Sequence, residues 1–303
     1  MGWGLEIAPD ALRLCWAEPS RGGIRVRRAL EAPLPAGLIQ PSPRDRNLLD
    51  PAALAAPLAA LAKGAGCRGS VRVALPDPVF ILRSIPTDEL PADRTEARQF
   101  LRWQARDHLP FPAEEARLDY LCVPPGPDGR ARTACLVARE RVLAEYEQLL
   151  SGASLRAAVV DARSVALTQA ASALFTTRTS GLVCGCGVRT TLLIVEDGRP
   201  RVWRILAAEG HPGGASDLRF LREVSDSLLF FREAEGIGPV EQLFAHGLGS
   251  RTPAIVSALT DWLEVPVAPL DLRPLITAHR SCAFSGEDPT PWGAPLGVAI
   301  RPC

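Results

Sequence analysis

Two strand–turn–strand stretches, far apart in the chain, set most of what this sequence can fold into. Residues 182–184 and 191–195 are apolar and rich in β-branched side chains, with a Gly185–Gly187 reversal between them and an Asp197-Gly198 turn after them. Near the N-terminus, Leu5 and Ile7, then Leu12, Leu14 and Trp16, alternate with more polar positions across Pro9-Asp10. A Gly-rich reversal followed by Thr190 and Thr191 can offer backbone N–H groups and hydroxyls to a phosphate. The simpler reading of the same residues is an ordinary hairpin with a small-residue bend. Two such hairpins, each followed by more strands and helices, predict a duplicated two-lobe α/β fold with a ligand cleft between the turns.

The 303 residues suffice for two lobes with a core each, and the formal net charge of zero gives no field drawing the chain to nucleic acid or anionic lipid. The first residues lack the basic flank and apolar run of a signal peptide. Nor is there an apolar stretch of the roughly 20 residues that a membrane-spanning helix needs. The expectation is a soluble, cytoplasmic protein without direct membrane insertion. The eight cysteines are scattered in apolar contexts. Cys184-x-Cys186 has no second pair and no nearby histidine, so small buried thiols are expected there and no metal site.

Along the chain, residues 24–30 read as a third strand, followed by a Pro-rich loop over 33–47. Asp50 caps a helix that opens at Pro51 and runs toward Lys63, with Pro57 expected to kink it or delay its start. Strands are expected at 71–75 and 80–85. Asp93 with Glu96 forms a capping-box pattern for a helix through Asp107, ended by Pro110 and Pro112. Strands at 118–123 and 134–138, a helix over 139–150 capped by Gly152, a strand at 157–160 and a helix at 161–174 complete a first lobe, residues 1–177, with an inserted α/β subdomain at about 86–135. The second lobe, 178–303, is shortened. Its long helix from Asp217 has the stripe Leu218, Leu221, Val224, Leu228 and Phe231. A strand at 242–245 follows, then a helix from Thr252-Pro253 with inner face Ile255, Leu259 and Trp262. A strand at 265–267 comes next, and a closing helix at 292–300 packs back on the first lobe.

In this order the pieces resemble the actin-like ATPase superfamily, whose lobes are duplicated ribonuclease H-like units, and more narrowly the type IV pilus assembly protein PilM family. The resemblance is carried by Gly4-Leu5-Glu6-Ile7-Ala8-Pro9, by Pro33-Leu34-Pro35-Ala36-Gly37, and by Ala74-Leu75-Pro76. Its most specific part is the run Ala105 to Pro112, with its Leu109-Pro110-Phe111, followed by Leu118-Asp119-Tyr120. Val160-Asp161, Gly247-x-Gly249 and Leu296 to Arg301 also match.

The resemblance implies Mg²⁺-ATP held between two phosphate hairpins, each with an aspartate that positions the metal through water. Here Glu6 stands at the first aspartate, Ala8-Pro9 replaces the following Gly-Ser, and Gly185 aligns with the second aspartate. Gly247-Leu248 stands at the Gly-Gly pair of the adenosine region, and little chain joins Gly213-Gly214 to the helix where relatives carry a further helical subdomain. The expectation is therefore a degenerate member without cofactor. It would act as a non-catalytic platform of a pilus, secretion or competence machine that binds the cytoplasmic N-terminal tail of an inner-membrane partner, PilN in the family, with copies assembling as a ring. Phe100, Trp103, Leu109 and Phe111 are the candidates for that surface, ordinary core packing being the alternative for at least two of them. The alternative function is a working ATPase or nucleotide switch, with Glu6 taking the metal role. Gly187, Thr190, Thr191, Gly247 and Gly249 would then surround phosphates and adenosine. An unrelated enzyme with a cysteine or histidine nucleophile has no support, since His108, His211, His246 and His279 lie in separate segments without a Gly-x-Ser-x-Gly elbow.

Overall fold

The computed structural model describes residues 1–125, 128–186, 189–207, 215–278, 284 and 288–301. Strands β1 (Gly2–Ile7), β2 (Ala11–Ser20) and β3 (Gly23–Pro33) form an antiparallel meander. Leu5 lies opposite Leu14 and Ile7 opposite Leu12, all fully buried, so one face of the hairpin is core. Helix α1 (Pro51–Ala65) begins where Asp50 accepts from the Ala53 N–H at 3.0 Å. It runs unbroken through Pro57, neither delayed nor ended by it. Leu54, Leu58, Leu61, Ala62 and Ala65 are buried along its length, and that packing outweighs the one hydrogen bond the proline removes.

Strand β4 (Gly69–Leu75) runs parallel to β1. Next come β5 (Phe80–Pro86), α2 (Arg94–Ala105), β6 (Ala116–Val123) and β7 (Arg132–Arg139), whose strands make a separate antiparallel sheet ordered β5-β7-β6. Asp93 caps α2 by accepting from the N–H groups of Thr95 and Glu96. Helix α3 (Glu140–Gly152) runs through Gly152; Ser154, at φ 58°, takes the left-handed turn expected of that glycine. Strand β8 (Leu155–Ala162) pairs parallel with β4 and extends through Asp161, so α4 (Arg163–Ala170) begins two residues later than the sequence suggested.

The second large sheet repeats the first. Strands β9 (Thr179–Cys186), β10 (Arg189–Glu196) and β11 (Arg199–Leu206) form a meander, with Asp197 (φ 50°) and Gly198 (φ 74°) in the tight turn. After α5 (Ala215–Glu235), strand β12 (Gln242–His246) joins parallel to β9. Helix α6 (Thr252–Leu263) leads to β13 (Val267–Pro269), two residues later than expected because the Pro266 carbonyl accepts from Leu243 and fixes the register there. The first sheet runs β3-β2-β1-β4-β8 and the second β11-β10-β9-β12-β13, the same meander followed by two parallel strands. Their first hairpins, β1–β2 and β9–β10, are therefore equivalent.

Strand β14 (Ile276–Ala278), which the sequence did not suggest, adds to the β3 edge of the first sheet. Helix α7 (Gly293–Ile300) lies against α4 and the β1–β2 hairpin, with Gly297 pressed against the Ala166 carbonyl. Two expected core positions face outward. Leu218 is 51% exposed, because the buried face of α5 is centred on Phe220, Val224, Ser227 and Phe231. Trp262 has the phase of Ile255 and Leu259 but sits in the last turn of α6 and is 41% exposed. Among the described residues no helix is long and apolar enough to cross a membrane.

Candidate functional site

The two equivalent hairpins face each other across a cavity of about 810 Å³, bordered by Ala8 to Asp10, Gly185, and the segment from Ala245 to Pro253. Its floor is ionic. Glu6 on β1 is 1% exposed and lies directly opposite Arg13 on β2. Arg13 donates to Glu6 Oε2 at 3.2 Å and also holds Asp10 at 3.0 Å and Glu31 at 2.9 Å. Burial disfavours the Arg13 charge, but Glu6, Asp10 and Glu31 outweigh it and raise its pKa.

The other side of Glu6 is taken by Arg163, the first residue of α4. Its Nε donates to Glu6 Oε1 at 2.7 Å, and its Nη1 donates to Cys184 Sγ at 3.1 Å and to the Gly185 carbonyl. Its Nη2 lies 3.4 Å from His246 Nε2. A guanidinium only donates, so Nε2 accepts and the His246 proton sits on Nδ1. Burial, then Arg163 and Arg13, hold the His246 pKa well below its ordinary value, and the ring is neutral. Burial raises the Cys184 thiol to about 12, so it is no nucleophile.

A further carboxylate of the first lobe lies behind Arg163. Asp77 is fully buried and accepts from the Ser164 N–H at 2.8 Å, capping α4. Burial raises its pKa, offset in part by that N–H, the Thr191 hydroxyl and the Arg163 charge. Asp161 is likewise committed, to Arg301 and to the Ala162 N–H.

The family model for the type IV pilus assembly protein PilM matches residues 4–185. The chain belongs to that family. A solved structure described as the PilM–PilN type IV pilus biogenesis complex is similar over 99% of each chain, with a TM-score of 0.81 at 23% identity. The cytoplasmic domain of EpsL, an inner-membrane component of the Vibrio cholerae type II secretion system, follows at TM-score 0.51 and 11% identity, covering 97% of this chain and 91% of that one. A Bacteroides thetaiotaomicron protein with an actin-like ATPase fold gives 0.50 at 12% identity, with 91% and 92% covered. No curated protein matches the sequence. The fold is the two-lobed actin-like one.

The β1–β2 and β9–β10 hairpins stand where the resemblance implies the two phosphate hairpins, and the residues expected around a nucleotide can be placed. Glu6 spends both carboxylate oxygens on arginines. Thr190 and Thr191 are buried, at 4% and 1% exposure, Thr191 against Asp77. Gly187 lies outside the described residues. Gly247 (φ 68°) and Gly249 (φ 63°) line the cavity with left-handed backbone. A Cβ on Gly185 would stand 2.5 Å from the Gly247 carbonyl oxygen, so there is no room for the second aspartate that the resemblance implies. Leu248 is 2% exposed and belongs to the second-lobe core.

The partner-surface candidates fall mostly inward. Phe111 is buried beneath Arg139, and Phe100 and Leu109 pack partly against the same small core under α2. Trp103 alone exposes its ring, 56%, with Arg106 stacked on it at 4.3 Å. Sequence reasoning missed Arg163, Arg13, Asp77 and the role of His246. One signal was available: Arg163 puts a cation in the first turn of a helix, where the dipole disfavours it, two residues after the Val160-Asp161 motif.

Proposed function

We propose that this chain is a non-catalytic platform of a type IV pilus or a related secretion or competence machine. It works at the cytoplasmic face of the inner membrane and binds the N-terminal cytoplasmic tail of a PilN-like inner-membrane partner. The observation that carries the loss of nucleotide chemistry is the Arg163 guanidinium. It lies between the hairpins, joined to Glu6, Gly185 and His246, where a magnesium–phosphate group would need open oxygen ligands. The arginine supplies internally the positive charge that a bound metal brings in relatives, and it joins the hairpins without a ligand. Family membership and the similarity to the chain of the PilM–PilN complex support the partner half of the reading.

The test is capture of the full chain by an immobilised peptide of the partner's N-terminal tail, in EDTA and in millimolar Mg²⁺-ATP. Equal capture is expected. Capture that appears only with nucleotide would refute the platform reading and favour a nucleotide switch.

A further inference from the structure

The second lobe carries apolar surface that its own core does not use. Eight large apolar side chains are exposed among the described residues, and four of them, Leu218, Leu229, Phe230 and Trp262, belong to α5 and α6. Single exposed ones need no explanation, but half of them on two helices that touch each other do. Residues 228–231 are Leu-Leu-Phe-Phe, apolar on every side of α5. Leu228 and Phe231 serve the core of the lobe, which leaves Leu229 and Phe230 surplus to it. Spacings of 7 and 11 residues put Leu218, Ser225 and Leu229 on one line of the helix, about 16 Å long. A recess of about 220 Å³ opens beside that line, walled by Leu228, Leu229, Phe231, Pro239, Val240 and Leu263. It is smaller than the roughly 300–1,000 Å³ of small-molecule sites, so it suits side chains of a docked segment. Among the described residues Arg232 is the one charged group in its wall. Arg222 stands between Leu218 and Leu229, four residues after the first. Both arginines are exposed and make no ion pair among the described residues. Asp226 and Glu233 lie roughly 60–80° further round the helix from Leu218.

We propose that this face of α5 binds an acidic amphipathic helix of a protein partner. The backbone N–H and C=O groups of α5 pair within the helix, so it offers no edge to an added strand and an occupant gains by inserting side chains. A helix laid along α5 sets apolar anchors against Leu218 and Leu229 and drops another into the recess. Its carboxylates meet Arg222 and Arg232, which select it by charge. The inference goes beyond the platform reading: it gives the chain a second partner, apart from the membrane protein's tail.

The experiment is fluorescence anisotropy of the full chain with three labelled helical peptides of about 18 residues. One has leucines along a single face and glutamates on its flanks, the second the same leucines with lysines, and the third the glutamates with its leucines shuffled off the face. The first is expected to bind at least about tenfold more tightly than either other, with an affinity that falls as salt rises. Leu229→Ser, a surface change, should weaken it about tenfold. Arg222→Glu with Arg232→Glu should reverse the choice between the acidic and the basic peptide. Equal binding of the ordered and shuffled peptides, or an unchanged affinity in Leu229→Ser, overturns the proposal. So does a light-scattering mass that rises with concentration in wild type and not in Leu229→Ser, which assigns the face to a second copy. Sedimentation with phosphatidylglycerol vesicles that Leu229→Ser abolishes overturns it in favour of a lipid surface. The partner's N-terminal tail is run beside the peptides and is expected to bind wild type and Leu229→Ser alike; a tail lost in that variant overturns the claim of a second partner. A tail that binds neither chain, while the acidic helix binds wild type and is weakened by Leu229→Ser, sustains this site and overturns the platform reading.

Discussion

Replacing Arg163 by alanine removes the group that joins the two hairpins, and its effect can be worked from the contacts. Arg163 is 8% exposed, and its partner Glu6 is 1% exposed. Breaking a buried ion pair from one side typically costs 3–5 kcal/mol, since the remaining charge stays in low dielectric. Glu6 keeps Arg13, which puts this loss at or below the low end of that range, about 2–3 kcal/mol. The Gly185 carbonyl also loses its guanidinium donor, which adds about 1 kcal/mol. A total of about 3–4 kcal/mol follows, read by urea unfolding as a midpoint lowered by about 1 M at a slope near 3 kcal/mol/M. Arg163→Lys keeps the charge but not the planar fork, and should fall between the two. The sharper readout is a cycle with Glu6→Gln. The two changes together should destabilise by less than the sum of the single losses, because removing both charges strands neither. A loss below about 1 kcal/mol for Arg163→Ala, or strictly additive losses, would refute the view of this pair as a buried clamp.

Other expectations follow from the same geometry. Gly185→Ala drives a Cβ to 2.5 Å from the Gly247 carbonyl oxygen and should destabilise by about 1–3 kcal/mol in the same assay; a neutral effect would mean the hairpin and the β12 end are not in contact. His246 is held neutral when folded, whereas the unfolded chain takes up a proton below about pH 6.5, so acidification favours unfolding. Stability should therefore fall with a slope from this residue of up to about 1.4 kcal/mol per pH unit below that point. His246→Gln should flatten the curve, and urea midpoints measured from pH 7.5 to about 5.5 decide it. Asp50→Ala deletes the cap of α1 and should lower stability by about 1 kcal/mol without altering peptide binding, which denaturation and anisotropy check together.

Local chemistry made much of the fold legible. The hairpins were marked by alternation and turn residues, and α1 and α2 by capping aspartates whose acceptor oxygens sit where the pattern required. What failed depended on tertiary packing. Pro57 reads as a breaker, yet the buried leucines around it hold α1 together. The short strand β14 has three residues and exists only because β3 offers an edge. Ser227 lies in the middle of the buried face of α5, and a hydrophobic stripe drawn without it rotates toward Leu218.

The candidate site was half legible. The departures at Glu6, Pro9 and Gly185 could be seen one residue at a time. The group that gives them meaning, Arg163, stands 157 positions from Glu6 and 83 from His246, and no local pattern links them.

The central claim is that the cleft between the hairpins no longer takes a metal-bound nucleotide. Calorimetric titration of the purified chain with Mg²⁺-ATP tests it most directly. The account predicts no heat of binding up to about millimolar nucleotide, corresponding to less than about 4 kcal/mol of affinity. Saturable binding at micromolar concentration would contradict it, and would mean that Glu6 exchanges its arginines for a hydrated metal.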